Sequence, residues 1–289
     1  MSKDYQPSSK PYRGRIAPTP SGWLHLGHAA TFRMAWERAR QAKGTIIYRT
    51  EDLDPARYRD EYDSGAIEDL HWWGLDWDEG PDCGGPFEPY QQSRKLEVFK
   101  AALDKLKSMG LVYPSAHSRK EIEAANPAKS PVNGDIIFPP DLRLRDPSDA
   151  IQDEVNWRFR VPDGRWIDFN DNRLGPKSFK AGTDFGDFIV WKKDDWPAYE
   201  LGVVVDDHDM QITEVVRGED LLMSTAKQLL LYEALGWQPP QWYHCPLVID
   251  PETGTRMSKT HKSMGLRALR EAGHAPGLQL EAYFETQED

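Results

Sequence analysis

The stretch Arg15-Ile16-Ala17-Pro18-Thr19-Pro20-Ser21-Gly22-Trp23-Leu24-His25-Leu26-Gly27-His28 decides the reading of this chain. Its first three residues make a short strand. Pro18 and Pro20 stop it, because proline has no N–H to give to a ladder. Beyond the loop, Ala29, Phe32, Trp36 and Ala39 recur at helical spacing through a segment 27–41. A helix start reached in this way presents backbone N–H groups and the positive end of the dipole to an anion. Gly27 lets a bulky ligand approach the backbone. His25 and His28 are three residues apart and fall on one face of the first turn. There they can donate hydrogen bonds to phosphate oxygens on which charge builds in a transition state. Two surface histidines at a helix end are the plainer alternative, and the rest of the chain has to decide between the two.

Working outward, 45–49 reads as a β-branched and aromatic strand, and 60–73 and 93–109 as helices. In the second helix Leu96, Phe99, Leu103 and Leu106 hold helical spacing. Alternating strand and helix predicts an α/β fold with a doubly wound parallel sheet, whose ligands sit beyond the carboxyl ends of the strands. The stretch 112–191 is richer in Pro, Asp and Arg, and its elements are short. It reads as an α+β insertion that splits the nucleotide-binding domain. Ser118-x-x-Glu121 has the form of a capping box. Trp157, Phe159 and Val161 alternate with Arg158 and Arg160 as in a half-buried strand. After it, 201–205 is a continuous apolar run expected to be a strand, and 212–216 reads as another. A helix is expected over 220–235, ended by Gly236, and a last strand over 247–249. The expected organisation is a flexible tail (1–12), a first half of the α/β domain (13–111), the insertion (112–191), and a second half with a short helical C-terminus (192–289).

Composition narrows the classes. With 39% hydrophobic residues in 289 the chain can bury a core, and with 29% charged residues and no long apolar run it has no transmembrane helix. The first ten residues are polar and lack the apolar stretch of a signal peptide. Cys83 and Cys245 form no CxxC pattern, which suits a reducing cytoplasm. A formal net charge of −11 argues against non-specific adhesion to nucleic acid, although a local basic patch can act under an acidic average. One such patch follows the expected last strand. Arg256-Met257-Ser258-Lys259-Thr260 opens a basic stretch that carries no acid through Arg270. Lys259 can hold the pyrophosphate end of ATP there, and a solvated basic turn is the alternative.

Taken together, His25-Leu26-Gly27-His28 and Arg256-Met257-Ser258-Lys259-Thr260 resemble the HIGH and KMSKS signatures of the class I aminoacyl-tRNA synthetases. Arg15 to Gly22, Arg49-Thr50-Glu51-Asp52-Leu53-Asp54 and Tyr199 narrow the resemblance to the glutamyl branch. So do Val203-Val204-Val205-Asp206-Asp207-His208 and Val216-Arg217-Gly218-Glu219-Asp220-Leu221. Only 29 residues, 289 − 260, follow Thr260. That leaves no room for an anticodon-binding domain, so the likeness is to the truncated glutamyl-Q tRNA(Asp) synthetase family.

The resemblance implies a Rossmann-like catalytic domain that makes glutamyl-adenylate from ATP and glutamate, with Mg²⁺ accompanying ATP. It then transfers glutamate to the queuosine base in the anticodon of tRNA(Asp). It implies that His25, Gly27, His28, Arg256, Met257, Ser258 and Lys259 bind ATP, with His25, His28 and Lys259 catalytic. Arg15 and Arg217 would bind the substrate carboxylates, and Glu51 and Tyr199 the ammonium group, with Thr19 nearby. Two arginines against one glutamate suit a dianionic substrate, although ordinary salt bridges to Asp52 or Glu219 would use the same arginines. Many members of the family carry zinc on a CxC pair and a further cysteine in the insertion. Here the matching stretches read Pro114-Ser115-Ala116-His117 and Phe138-Pro139-Pro140-Asp141, so zinc is expected to be absent. A cytoplasmic monomer with no membrane attachment is expected. RNA contact is expected from Lys177, Lys180, Lys192, Lys193, Lys262, Arg267 and Arg270, with Trp191 and Trp196 as stacking candidates. The same adenylation with another acceptor, and a non-catalytic amino-acid or RNA-binding module, remain as alternatives.

Overall fold

The computed structural model describes residues 10–126, 128–143, 155–248 and 265–276. In chain order the elements are β1 (Arg13–Ile16), α1 (Leu26–Gln41), β2 (Thr45–Tyr48), α2 (Asp60–Trp72), α3 (Leu96–Ser108), β3 (Val112–Ser115) and α4 (Arg119–Ala125). Then come β4 (Asn156–Phe159), β5 (Trp166–Asp171), β6 (Gly175–Lys180), β7 (Phe188–Trp191), α5 (Tyr199–Asp209), β8 (Glu214–Gly218), α6 (Leu222–Leu235), β9 (Gln241–Cys245) and α7 (Leu266–Glu271). Among the described residues no helix is long and apolar enough to cross a membrane. The chain divides into two compact units. The first is drawn from 1–91, 211–220 and 240–289, and the second from 92–210 and 221–239.

In the first unit β1 and β2 run parallel, joined by α1 as a βαβ crossover, and β8 and β9 form a second parallel pair. Thr213 ties β1 toward β8: its N–H donates to the Arg13 carbonyl at 2.9 Å, and its hydroxyl accepts from the Arg13 N–H at 2.8 Å. The α1 helix lies against β1, β2 and β8. Its apolar face, with Ala29 and Ala39, packs into a core with Ile16, Ile46, Leu70 and Val216. Its far end is anchored by charge. Arg38 forks onto the buried Glu214 at 2.7 and 2.6 Å, and the Tyr12 hydroxyl donates to the same carboxylate at 2.7 Å. Burial and the Glu214 charge push the Tyr12 phenol far above its ordinary pKa. Between α1 and β2 only glycine fits at position 44, since a Cβ there would lie 2.4 Å from the Tyr12 carbonyl oxygen.

In the second unit β3, β4 and β7 form an antiparallel sheet, and β5 and β6 pair as a hairpin. Helices α3, α5 and α6 pack on one another. The unit extends beyond 112–191 on both sides. Lys95 donates to Asp206 at 2.5 Å, and Gln92 donates to the same carboxylate at 2.8 Å. Gly236 takes a left-handed φ of 73° and closes α6, as its place after the apolar periodicity predicts.

Three expectations are corrected. The apolar run 201–205 is not a strand but the middle of α5, with Leu201 and Val203 to Val205 all buried. A run that short, apolar on every side, does not distinguish a buried strand from a buried helix. The last strand is β9, whereas Leu247 and Val248 lie outside any strand and Ile249 lies outside the described residues. Gln241 and His244 within β9 hid it from a search for apolar runs. In the strand expected to be half-buried, Arg158, one of the polar residues of the alternation, is itself buried, with its guanidinium over the Phe138 ring.

Candidate active site

His25 is the N-cap of α1. Its Nδ1 accepts from the Gly27 N–H at 3.1 Å, and its own N–H donates to His28 Nδ1 at 3.2 Å, a reciprocal capping box made of two imidazoles. The rings lie 3.8 Å apart, centroid to centroid. Because each Nδ1 accepts, a neutral ring at either position carries its proton on Nε2. This changes the expected anion contact. The amides of Gly27, His28 and Ala29 already donate to His25. Those three amides are therefore taken up within the helix start itself. Gly27 is also explained more locally than by ligand approach, since a Cβ there would meet the His25 ring at 3.0 Å.

The loop before α1 is stitched to the segment after β2. The Glu51 N–H donates to the Pro18 carbonyl at 3.0 Å, and the Arg59 N–H to the Pro20 carbonyl at 3.3 Å. Exposed Thr19 is thereby held beside buried Glu51. Glu51 accepts from the fully buried Arg49 at 2.8 Å, so part of its negative charge is countered from below. Nearby, burial pushes the Asp63 carboxyl pKa up, while its hydrogen bond from Thr50, at 2.9 Å, opposes the shift.

Arg15 projects from β1, and its Nη1 donates to the Val216 carbonyl at 2.8 Å. Arg217, the next residue on β8, is only 4% exposed. Its Nε donates to His244 Nε2 at 3.2 Å, across the β8–β9 register in which the two residues are partners. The structure thus brings Arg15, Thr19, His25, Gly27, His28, Glu51 and Arg217 into one compact unit. Tyr199 begins α5 in the second unit and is 37% exposed. Arg256, Met257, Ser258 and Lys259 lie outside the described residues. Sequence reading missed Arg49 and His244. Arg49 stood in a quoted motif but drew no role, and the polar strand that carries His244 was not recognised.

The insertion positions compared with zinc ligands do not fit a metal. Ser115 Oγ faces His117 Nδ1 at 3.3 Å and accepts from the Arg158 guanidinium at 3.3 Å, which puts a cation where a metal would need thiolates. Among the described residues no group of three or more His, Cys, Asp or Glu side chains is placed to hold a metal. The basic residues offered for RNA fare unevenly. Arg267 and Arg270 pair with Glu68 at 3.5 and 3.1 Å. Trp191 is buried, with its indole N–H on Asp195.

A βαβ crossover with paired histidines capping its helix, and arginines converging on the strands beside it, defines an α/β nucleotide-binding domain of the class I synthetase type. Residues 12–283 match the family described as tRNA synthetases class I (E and Q), catalytic domain, and the chain belongs to it. It is similar to a glutamyl-Q tRNA(Asp) synthetase of Nitratidesulfovibrio vulgaris, 44% identical over 277 residues, covering 94% of this chain and 85% of that protein. A protein of the same name from Symbiobacterium thermophilum is 44% identical, covering 91% and 82%. Among solved structures, the glutamate-tRNA synthetase of Elizabethkingia anophelis matches with a TM-score of 0.76 at 31% identity, over 91% of this chain. The chain spans about half of that protein, 54% of its length.

Proposed function

We propose that this protein activates glutamate with ATP as glutamyl-adenylate and transfers the glutamyl group to the queuosine base in the anticodon of tRNA(Asp). The observation that supports the reading is the placement of Arg15 on β1 and Arg217 on β8 in the same compact unit as a helix start capped by two imidazoles. Relatives named for this activity match nearly the whole chain.

In the first step an α-carboxylate oxygen of glutamate attacks the α-phosphorus of ATP, and the bond to the β-phosphate breaks in line to release pyrophosphate. The protein positions groups and neutralises charge. Arg15 and Arg217 hold the carboxylates in fixed forks. Glu51 takes the ammonium group, with Thr19 beside it, and Tyr199 is assigned to the same group from its sequence motif. His25 and His28 donate to phosphate oxygens, with Gly27 admitting the backbone of α1 close to the nucleotide. Arg256, Met257, Ser258 and Lys259 steady the departing pyrophosphate. Mg²⁺ bound with ATP would offset phosphate charge. In the second step a hydroxyl of the queuosine cyclopentenediol attacks the activated carbonyl, and AMP leaves with the bonding electrons. The enzyme works as a cytoplasmic monomer without zinc, and in sequence order 112–191 is the insertion between catalytic segments 13–111 and 192–289.

Glutamate-dependent exchange of labelled pyrophosphate into ATP tests the activation step. Exchange with glutamate but not glutamine is expected, because a buried arginine left without its carboxylate is costly. No exchange by folded protein at saturating glutamate would leave a non-catalytic binding module as the better reading.

A further inference from the structure

The second unit contains a cavity of about 410 Å³ that the proposed chemistry does not use. Ile122 and Phe138 line its apolar side, and Arg119, Arg158 and Lys227 bring positive charge from α4, β4 and α6. Arg158 is 9% exposed. Its guanidinium lies 4.4 Å from the Phe138 ring centroid, and its hydrogen bonds run to the Ser115 hydroxyl and the Asp187 carbonyl at 3.3 and 3.1 Å. Both acceptors are neutral.

The neighbouring Asp187 carboxylate is already saturated. It accepts from Arg143 Nε and Nη2 at 2.6 and 2.7 Å, from the Tyr113 hydroxyl at 2.6 Å and from the Val161 N–H at 2.9 Å. Those bonds use about all the acceptor positions a carboxylate has. Arg119 and Lys227 make no ion pair among the described residues. The remaining carboxylate on the wall, Asp135, accepts from Asn133 at 2.6 Å. Burial without a dedicated counter-charge is unfavourable for a guanidinium, and it lowers the Arg158 pKa from the ordinary arginine value. An arriving anion offsets that cost. Three cations converging from three elements suit a tetrahedral anion with several oxygens better than a single carboxylate, which one fork would satisfy.

We propose that this cavity binds a phosphate group. In the reaction proposed above, on which this form of the inference rests, the group is a phosphodiester of the RNA acceptor; a free phosphorylated small molecule offers the same chemistry. None of the basic residues singled out from sequence for RNA contact lines this cavity.

The test uses the full chain and the double variant Arg119→Gln/Lys227→Gln, which leaves buried Arg158 in place. In one arm, tRNA binding is followed by fluorescence anisotropy across a salt series. Loss of one or two phosphate contacts lowers the slope of log affinity against log salt by about 1 to 2. In the other arm, the melting temperature is measured in inorganic phosphate and in chloride at equal ionic strength. The expected result is weaker tRNA binding with a shallower slope, loss of the phosphate-specific stabilisation, and unchanged pyrophosphate exchange. Loss of the phosphate effect alone, with tRNA binding intact, supports a phosphate site but overturns the RNA form. Identical behaviour of variant and parent in both arms overturns the proposal. Failure of pyrophosphate exchange in the parent would remove the function reading, while the phosphate arm would still decide this one.

Discussion

Replacing His244 with leucine tests how Arg217 is held. His244 is fully buried, and its Nε2 accepts from Arg217 Nε at 3.2 Å. Arginine only donates, so His244 accepts through Nε2 and carries its proton on Nδ1. Leucine keeps most of the volume and removes the acceptor. A hydrogen bond to a charged group contributes about 1.5–3 kcal/mol. If that free energy fixes the fork that grips glutamate, the KM for glutamate rises about 10- to 100-fold. The KM for ATP should stay within about twofold, since His25 and His28 belong to α1 and make their reciprocal bonds there. His244→Gln places an amide oxygen near the lost nitrogen and should restore most of the affinity. Pyrophosphate exchange at varied glutamate and ATP reads both constants. An unchanged glutamate KM in a folded His244→Leu protein, or equal losses for glutamate and ATP, would refute the argument.

Arg217→Ala should abolish glutamate-dependent exchange yet leave ATP binding, followed by equilibrium dialysis, nearly intact; a matching loss of ATP affinity would remove the residue from the amino-acid site. Lys95→Met removes the ion-pair partner of the fully buried Asp206. Breaking a buried pair costs about 3–5 kcal/mol and should lower the melting temperature by about 10 °C, whereas a drop under about 2 °C would mean the pair contributes little. Asp69 is buried in α2, and burial raises its carboxyl pKa although Arg270 stands 3.2 Å away. A raised folded pKa gives stability that is present below the unfolded pKa and is lost as pH rises through the folded one. The stability of Asp69→Asn relative to the parent should therefore increase from acid toward neutral pH in urea titrations, and a difference independent of pH would contradict the shift.

The parts of the fold that could be read from sequence were those in which one local rule dominates. Ala29, Phe32, Trp36 and Ala39 set the face of α1, the prolines at 18 and 20 ended β1, and Ser118 with Glu121 formed the capping box at 2.7 and 3.3 Å. What escaped depends on partners distant in sequence. Whether 201–205 is strand or helix is settled by burial on all sides of α5, which its spacing does not reveal. The polar strand β9 is defined by its pairing with β8. Arg158 is buried because Phe138, Ser115 and Asp187 converge on it from other segments. The site divides in the same way. The histidine motif, Arg15 and Arg217 carry recognisable local sequence, whereas the support that His244 gives Arg217 appears only when two strands are laid side by side.

An amino-acid-activating enzyme of the kind proposed would use the queuosine of an anticodon as its acceptor. Transfer of radiolabelled glutamate to purified tRNA(Asp), with and without queuosine, measures it most directly. The expected result is ATP-dependent labelling of the queuosine-containing tRNA that survives removal of the 3′-terminal nucleotides, and none of the unmodified tRNA. Equal labelling of both tRNAs, lost when the 3′ end is removed, would contradict it.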